Sequence, residues 1–124
     1  MTALAACDAE PAPPPPPDPL QPLLDEALAL AAAYDRAIAA DPAASARLTP
    51  LAADHRAHAA ELTKLINPLA SAGSAPPEPA KDLRTAEQTA QRNAVAACKA
   101  APAERAALVG SIAACRATHV EALR

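Results

Sequence analysis

The residues able to do chemistry in this chain are few: three histidines, three cysteines and a thin scatter of carboxylates. His55 and His58 are three residues apart, so on a helix they share one face. His119 lies in a related stretch further on: Leu51-Ala52-Ala53-Asp54-His55-Arg56-Ala57-His58 aligns without a gap with Ile112-Ala113-Ala114-Cys115-Arg116-Ala117-Thr118-His119. Three imidazoles facing one axis suit Zn²⁺ or Cu²⁺, with Asp54, Glu61 or Glu87 completing the shell. The competing assignment is structural. Core histidines hydrogen-bonded to carboxylates or backbone act as polar pegs that fix helix register.

The cysteines divide by position. Cys7 closes Leu4-Ala5-Ala6-Cys7, which reads as a bacterial lipobox, so Cys7 is the expected lipidation site. Only Met1-Thr2-Ala3 precede it, and the charged and apolar segments of an export signal are expected upstream of them. With Cys7 lipidated, Cys98 and Cys115 form an even pair in an oxidising compartment, and a disulfide between them is expected. That bond needs the fourth helix to break at Gly110-Ser111, because in a straight helix from Pro102 the two residues lie too far apart. Catalytic signatures are missing: there is no glycine-rich phosphate loop, and Ser45, Ser71, Ser74 and Ser111 stand in no nucleophile elbow.

Composition sets the frame around these residues. The 124 residues make one small domain. About a third of them are alanine, and there is no Phe or Trp and a single Tyr. A core of Leu, Ile, Val and Ala with two glycines fits close-packed helices, since alanine is depleted in strands. A net charge of −3 and the near-absence of aromatic rings exclude nucleic-acid binding by electrostatics or stacking.

Along the chain, residues 1–19 read as the lipobox remnant followed by a tether. The run Pro13–Pro17, flanked by Pro11 and Pro19, predicts an extended polyproline II spacer. Residues 20–124 read as four helices in two hairpins, with a Pro- and Gly-bearing connection over about 67–80. The first helix runs from Leu20 to Ala40 with Leu24, Ala27, Leu28, Ala31, Tyr34 and Ile38 inward. Asp41-Pro42 ends it and starts the second, which is kinked or restarted at Thr49-Pro50 and carries Leu51, His55, His58, Leu62 and Leu65. The third covers Lys81 to Ala100 on a thin face of Leu83, Ala86, Ala90, Ala94 and Ala97, with Glu87 at its edge. Pro102 opens the fourth, striped by Leu108, Ile112, Cys115, His119 and Leu123. The fold class is all-α, a four-helix bundle with internal pseudo-two-fold symmetry.

The stretch Tyr34-Asp35-Arg36-Ala37…Asp41-Pro42…Leu48-x-Pro50-Leu51…Asp54-His55…His58…Leu62 resembles the ferritin-like domain-of-unknown-function family of exported proteins and lipoproteins of high-GC actinobacteria. The resemblance spans about 20–124. It implies a ferritin-like bundle outside the cytoplasm and supplies no activity. A ferritin-like di-iron site needs a Glu-x-x-His motif on two helices. Here His55 and Arg116 occupy the Glu positions, so di-iron is not expected.

The leading expectation is a lipid-anchored, extracytoplasmic binding or structural module without catalysis or cofactor. It meets the membrane through Cys7 and pairs with itself or an envelope protein. The alternative is a histidine-based Zn or Cu carrier or store at the envelope. A third reading is a cytosolic helical adaptor with a fortuitous lipobox.

Overall fold

A computed structural model describes residues 11–66 and 82–124. The lipobox with Cys7, and residues 67–81 of the connection, lie outside the described residues. Four helices are present among them: α1 (Gln21–Ala40), α2 (Ser45–Leu65), α3 (Leu83–Ala100) and α4 (Ala103–Ala122), with a single 3-10 turn at Pro42–Ala44. The chain is an all-α four-helix bundle.

Local chemistry sets the helix ends. Asp18 starts α1: its carboxylate accepts from the Leu20 N–H at 2.9 Å, and its carbonyl accepts from Gln21. Asp41 caps the 3-10 turn through Ala43 N–H, with Pro42 in the first position as its fixed φ allows. Asp82 sits extended ahead of α3 and accepts from Thr85 N–H at 2.7 Å, so the helix begins two residues later than the periodicity suggests. Pro50 lies inside α2, near its start, and the helix continues through it. The missing N–H forfeits one bond to the carbonyl four residues back, which is a small loss so close to the helix start.

The helices pair as α1 with α2 and α3 with α4, and the two hairpins meet through α1 against α3 and α2 against α4. The apolar core is split in two. The larger part gathers Leu20, Leu23, Leu24, Ala27, Leu62, Ile66, Val109 and Ile112. The smaller holds Tyr34, Leu48 and Ala52. His55, Glu87, Arg116 and His119 are also buried, and they form a polar layer in the same core. Pro11–Pro17 are exposed and carry no regular structure, while Asp18 is tied to α4 by Arg105 at 2.8 Å. None of the helices among the described residues is long and apolar enough to cross a membrane.

Two expectations need correction. Leu28, expected inward, is 53% exposed; Leu23 and Leu30 are buried instead, so the true stripe is rotated toward them. The Cys98–Cys115 disulfide is not formed, and both thiols are free. The physical reason is that α4 runs unbroken through Gly110 and Ser111. Cys98 Sγ lies level with Gly110 and donates to the Ala106 carbonyl at 3.6 Å. Cys115 is more than one turn further along α4 and its thiol faces Asp54 on α2. A disulfide needs α-carbons within about 4.4–6.8 Å, and the straight helix carries the two residues apart.

Leu62, fully buried, and Leu28 give opposite expectations. Leu62→Ala should cost about 2–5 kcal/mol of stability by urea denaturation, whereas Leu28→Ala should stay within about 0.5 kcal/mol.

Candidate metal centre

The polar layer is organised around Glu87, the α3 residue expected only at the edge of its stripe. It is fully buried. Its Oε1 accepts from the Tyr34 hydroxyl of α1 at 2.6 Å and stands 2.5 Å from His55 Nε2 of α2 and 3.0 Å from His119 Nδ1 of α4. The two ring nitrogens are 3.3 Å from one another. A single carboxylate oxygen therefore receives groups from all three other helices. The other, Oε2, is buried and has no partner, and neither has His55 Nδ1. Burial alone would raise the Glu87 pKa. Hydrogen bonds from His119, His55 and Tyr34, together with the His55 charge, outweigh it and hold the carboxyl down at about 2. Burial and the same carboxylate push the Tyr34 phenol well above its ordinary value, so it stays a donor.

His119 works on both sides of its ring. Nδ1 faces Glu87 and His55, while Nε2 lies 3.0 Å from Asp54 Oδ2 and 3.4 Å from Cys115 Sγ. Burial opposes its protonation, but the bonds to Glu87 and Asp54 prevail and raise its pKa. Cys115 and Asp54 are themselves 3.7 Å apart. Burial and the Asp54 carboxylate push the Cys115 thiol up to about 11, so it is not a free nucleophile at neutral pH. Two overlapping ligand groups result: His55, Glu87 and His119 inside, and Asp54, Cys115 and His119 toward the rim.

Of the three histidines expected to converge, the structure brings together His55 and His119. His58 is left out: it stacks edge-on at 6.0 Å from His55, its Nδ1 buried without a partner. Glu87 takes its place. Of the supplementary ligands, Asp54 joins the rim group, and Glu61 instead pairs with Lys64 at the surface. Cys115, expected in a disulfide, is a rim ligand candidate.

A second ion pair, between a buried guanidinium and a partly exposed carboxylate, lies alongside. Arg116, fully buried, donates to Glu26 Oε1 and to the Ala90 carbonyl at 2.9 Å, while Asn93 donates to Glu26 Oε2 at 2.7 Å. The repeat relates the two pairs, because the offset in sequence that carries His55 to Arg116 and His58 to His119 also carries Glu26 to Glu87. That shared offset is the signal that marks both carboxylates as members of the polar layer. Arg116 supplies its own positive charge to Glu26, and the carboxylate a second ion would need on that side is engaged. No family profile, curated protein or solved structure matches this chain.

Glu26→Ala would leave the Arg116 guanidinium buried without a counter-ion, and a loss of about 3–5 kcal/mol is expected by denaturation. The metal-free protein should also lose stability in acid. His58 is held down to about 4 by burial first, then by the charges of His55 and Arg116, so below the ordinary 6.5 the unfolded chain takes a proton that the folded chain refuses. Glu87 has the same sign between its ordinary 4.5 and about 2. His119 has the opposite sign, its contribution fading as pH rises through its raised value. The urea midpoint should peak near neutrality, and His58→Gln should remove the decline between about pH 6.5 and 4.

Proposed function

We propose that this protein is a metal-binding four-helix bundle for a divalent transition ion, held at the cell envelope by a lipid on Cys7. The observation that carries the metal reading is the convergence of His55 Nε2, His119 Nδ1 and Glu87 Oε1 within 2.5–3.3 Å of one another. Three donors crowd one carboxylate oxygen while its twin goes unused. Such crowding is costly for hydrogen bonds alone, since an oxygen has two lone pairs, and it is relieved when a cation takes the centre and the ligand atoms spread to the separation of about 3.3 Å that a tetrahedral ion sets. Two imidazoles and a carboxylate select Zn²⁺ or Cu²⁺ over hard ions such as Ca²⁺ and Mg²⁺, which demand oxygen shells. Tyr34 then acts on Glu87 from outside the ligand set, fixing the carboxylate as outer hydrogen bonds do in metal sites.

The envelope part rests on Leu4-Ala5-Ala6-Cys7 and on the proline run that separates it from α1. A stiff spacer of that kind holds a folded domain clear of a surface. Binding rather than turnover is the role the chemistry favours, because the inner ligands are sealed and the neighbouring thiol is protonated.

Titrating the metal-free protein with Zn²⁺ should give stoichiometric uptake and a stabilisation of about 2.7 kcal/mol at one hundred times the Kd. His119→Ala and Glu87→Gln should abolish uptake at the inner site, whereas His58→Ala should keep it. Equal Zn²⁺ content in wild type and His119→Ala would sink the reading. Expressed behind a lipoprotein export signal in a lipoprotein-processing host, the protein should sediment with membranes and carry a diacylglyceryl mass, and Cys7→Ala should release it.

A further inference from the structure

We infer that the centre is dinuclear, with the His119 imidazole bridging an inner ion on His55 and Glu87 and an outer ion on Cys115 and Asp54. This rests on the metal-binding reading and extends it to a second site. The ring is the only group common to both ligand sets, and it offers a different nitrogen to each: Nδ1 inward and Nε2 outward. The outer set is spaced for an ion. Its three ligand atoms are 3.0, 3.4 and 3.7 Å apart. A tetrahedral Zn²⁺ with bonds of about 2.0–2.3 Å to N, O and S places its ligands roughly 3.3–3.6 Å from one another. Cys115 and His119 are one turn apart on α4, which stacks them on one face, and Asp54 reaches across from α2.

Charge supports two ions rather than one. Loading both sites releases to solvent the Cys115 thiol proton and every N–H proton of the His119 ring, and His55 binds through Nε2 with its one remaining proton moved to Nδ1. Glu87, Asp54, the Cys115 thiolate and the bridging imidazolate then supply four negative charges against the four positive charges of two divalent ions. With one inner ion alone, Asp54 and Cys115 have no share in the binding. The two positions also differ in access. The inner ligands His55 and Glu87 are fully buried, whereas the Asp54 side chain is 53% exposed. The inner ion is therefore the fixed one and the outer ion exchanges with solvent, with the thiolate favouring soft transition metals over hard cations.

The test is Co²⁺ titration of the reduced, metal-free full chain carrying Cys7→Ser and Cys98→Ser, so that Cys115 is the single thiol. Two Co²⁺ per chain by native mass, with a sulfur-to-cobalt charge-transfer band in the near ultraviolet, are expected. Adding Cys115→Ser, a near-isosteric change, should leave one Co²⁺ and remove the band. His119→Gln should lose both ions, with circular dichroism confirming the helices. One ion and no thiolate band would overturn the bridge while leaving the inner centre standing. One ion with the band, or two ions surviving Cys115→Ser, would equally overturn it. No uptake at all would remove both this inference and the metal reading beneath it.

Discussion

The fold turns on one buried carboxylate. Glu87 sits on α3 with no exposure to solvent, where an ionised group without partners is prohibitively costly. Its compensation comes from Tyr34 on α1, His55 on α2 and His119 on α4, so satisfying a single residue requires all four helices in one register. An alanine-lined interface specifies register poorly, because small side chains slide past one another with little change in packing. The polar cluster does not slide: a shift of one residue in any helix rotates its contribution away from Glu87 and strands the charge. Register here is set electrostatically, and the apolar clusters to either side then bury surface around a fixed centre.

The internal repeat carries a charge asymmetry. Two related hairpins place two related carboxylates against the polar layer, Glu87 sealed within it and Glu26 at its partly exposed edge, and the chain neutralises them differently. Glu26 meets a guanidinium that is always charged, and its oxygens are shared between Arg116 and Asn93. Glu87 meets two imidazoles, whose charge depends on what surrounds them. One half of the layer is thus locked by a permanent cation from the protein, and the other holds groups whose charge varies with protonation and which are the ligands of the proposed metal site. The substitution of Arg116 for the equivalent of His55 is what separates the structural half from the chemical half.

How far this was legible in the sequence follows from what hydropathy can register. The helices were, because Asp41-Pro42 and Pro102 punctuate them and leucines recur with helical spacing, though the cap at Asp82 shows only in the structure. The inner face of α3 was legible in Ala90 and Ala94 but not in Glu87. Its buried residues are Glu87, Ala90 and Ala94, and in a helix where alanine lies on every side a charged residue looks like the margin of the stripe. Arg116 was hidden in the same way, and its burial makes sense only beside Glu26. Leu28 shows the reverse error: a leucine with helical spacing that faces solvent, in a helix with enough other leucines to fill the core. The expected break at Gly110-Ser111 failed because one glycine costs a helix interior only about 1 kcal/mol, and packing of Val109, Ile112 and Ala113 into the core retains it.

Fold and site also share their volume. The largest fully buried side chains include Arg116, Tyr34, His55 and Glu87 alongside Leu62, Ile66, Ile112 and Val109. A bundle without Phe or Trp has few ways to fill the space between helices, and here the polar residues fill much of it. Replacing them with alanine would open cavities as well as remove charges, so stability and ligand capacity are carried by the same atoms. Such a core gains most from a partner that draws its polar atoms together. A cation among His55, Glu87 and His119 would turn three ligands from three helices into one coordinated unit, and it would do so between the two apolar clusters. The poverty of the hydrophobic core and the richness of the polar layer are therefore two sides of one arrangement.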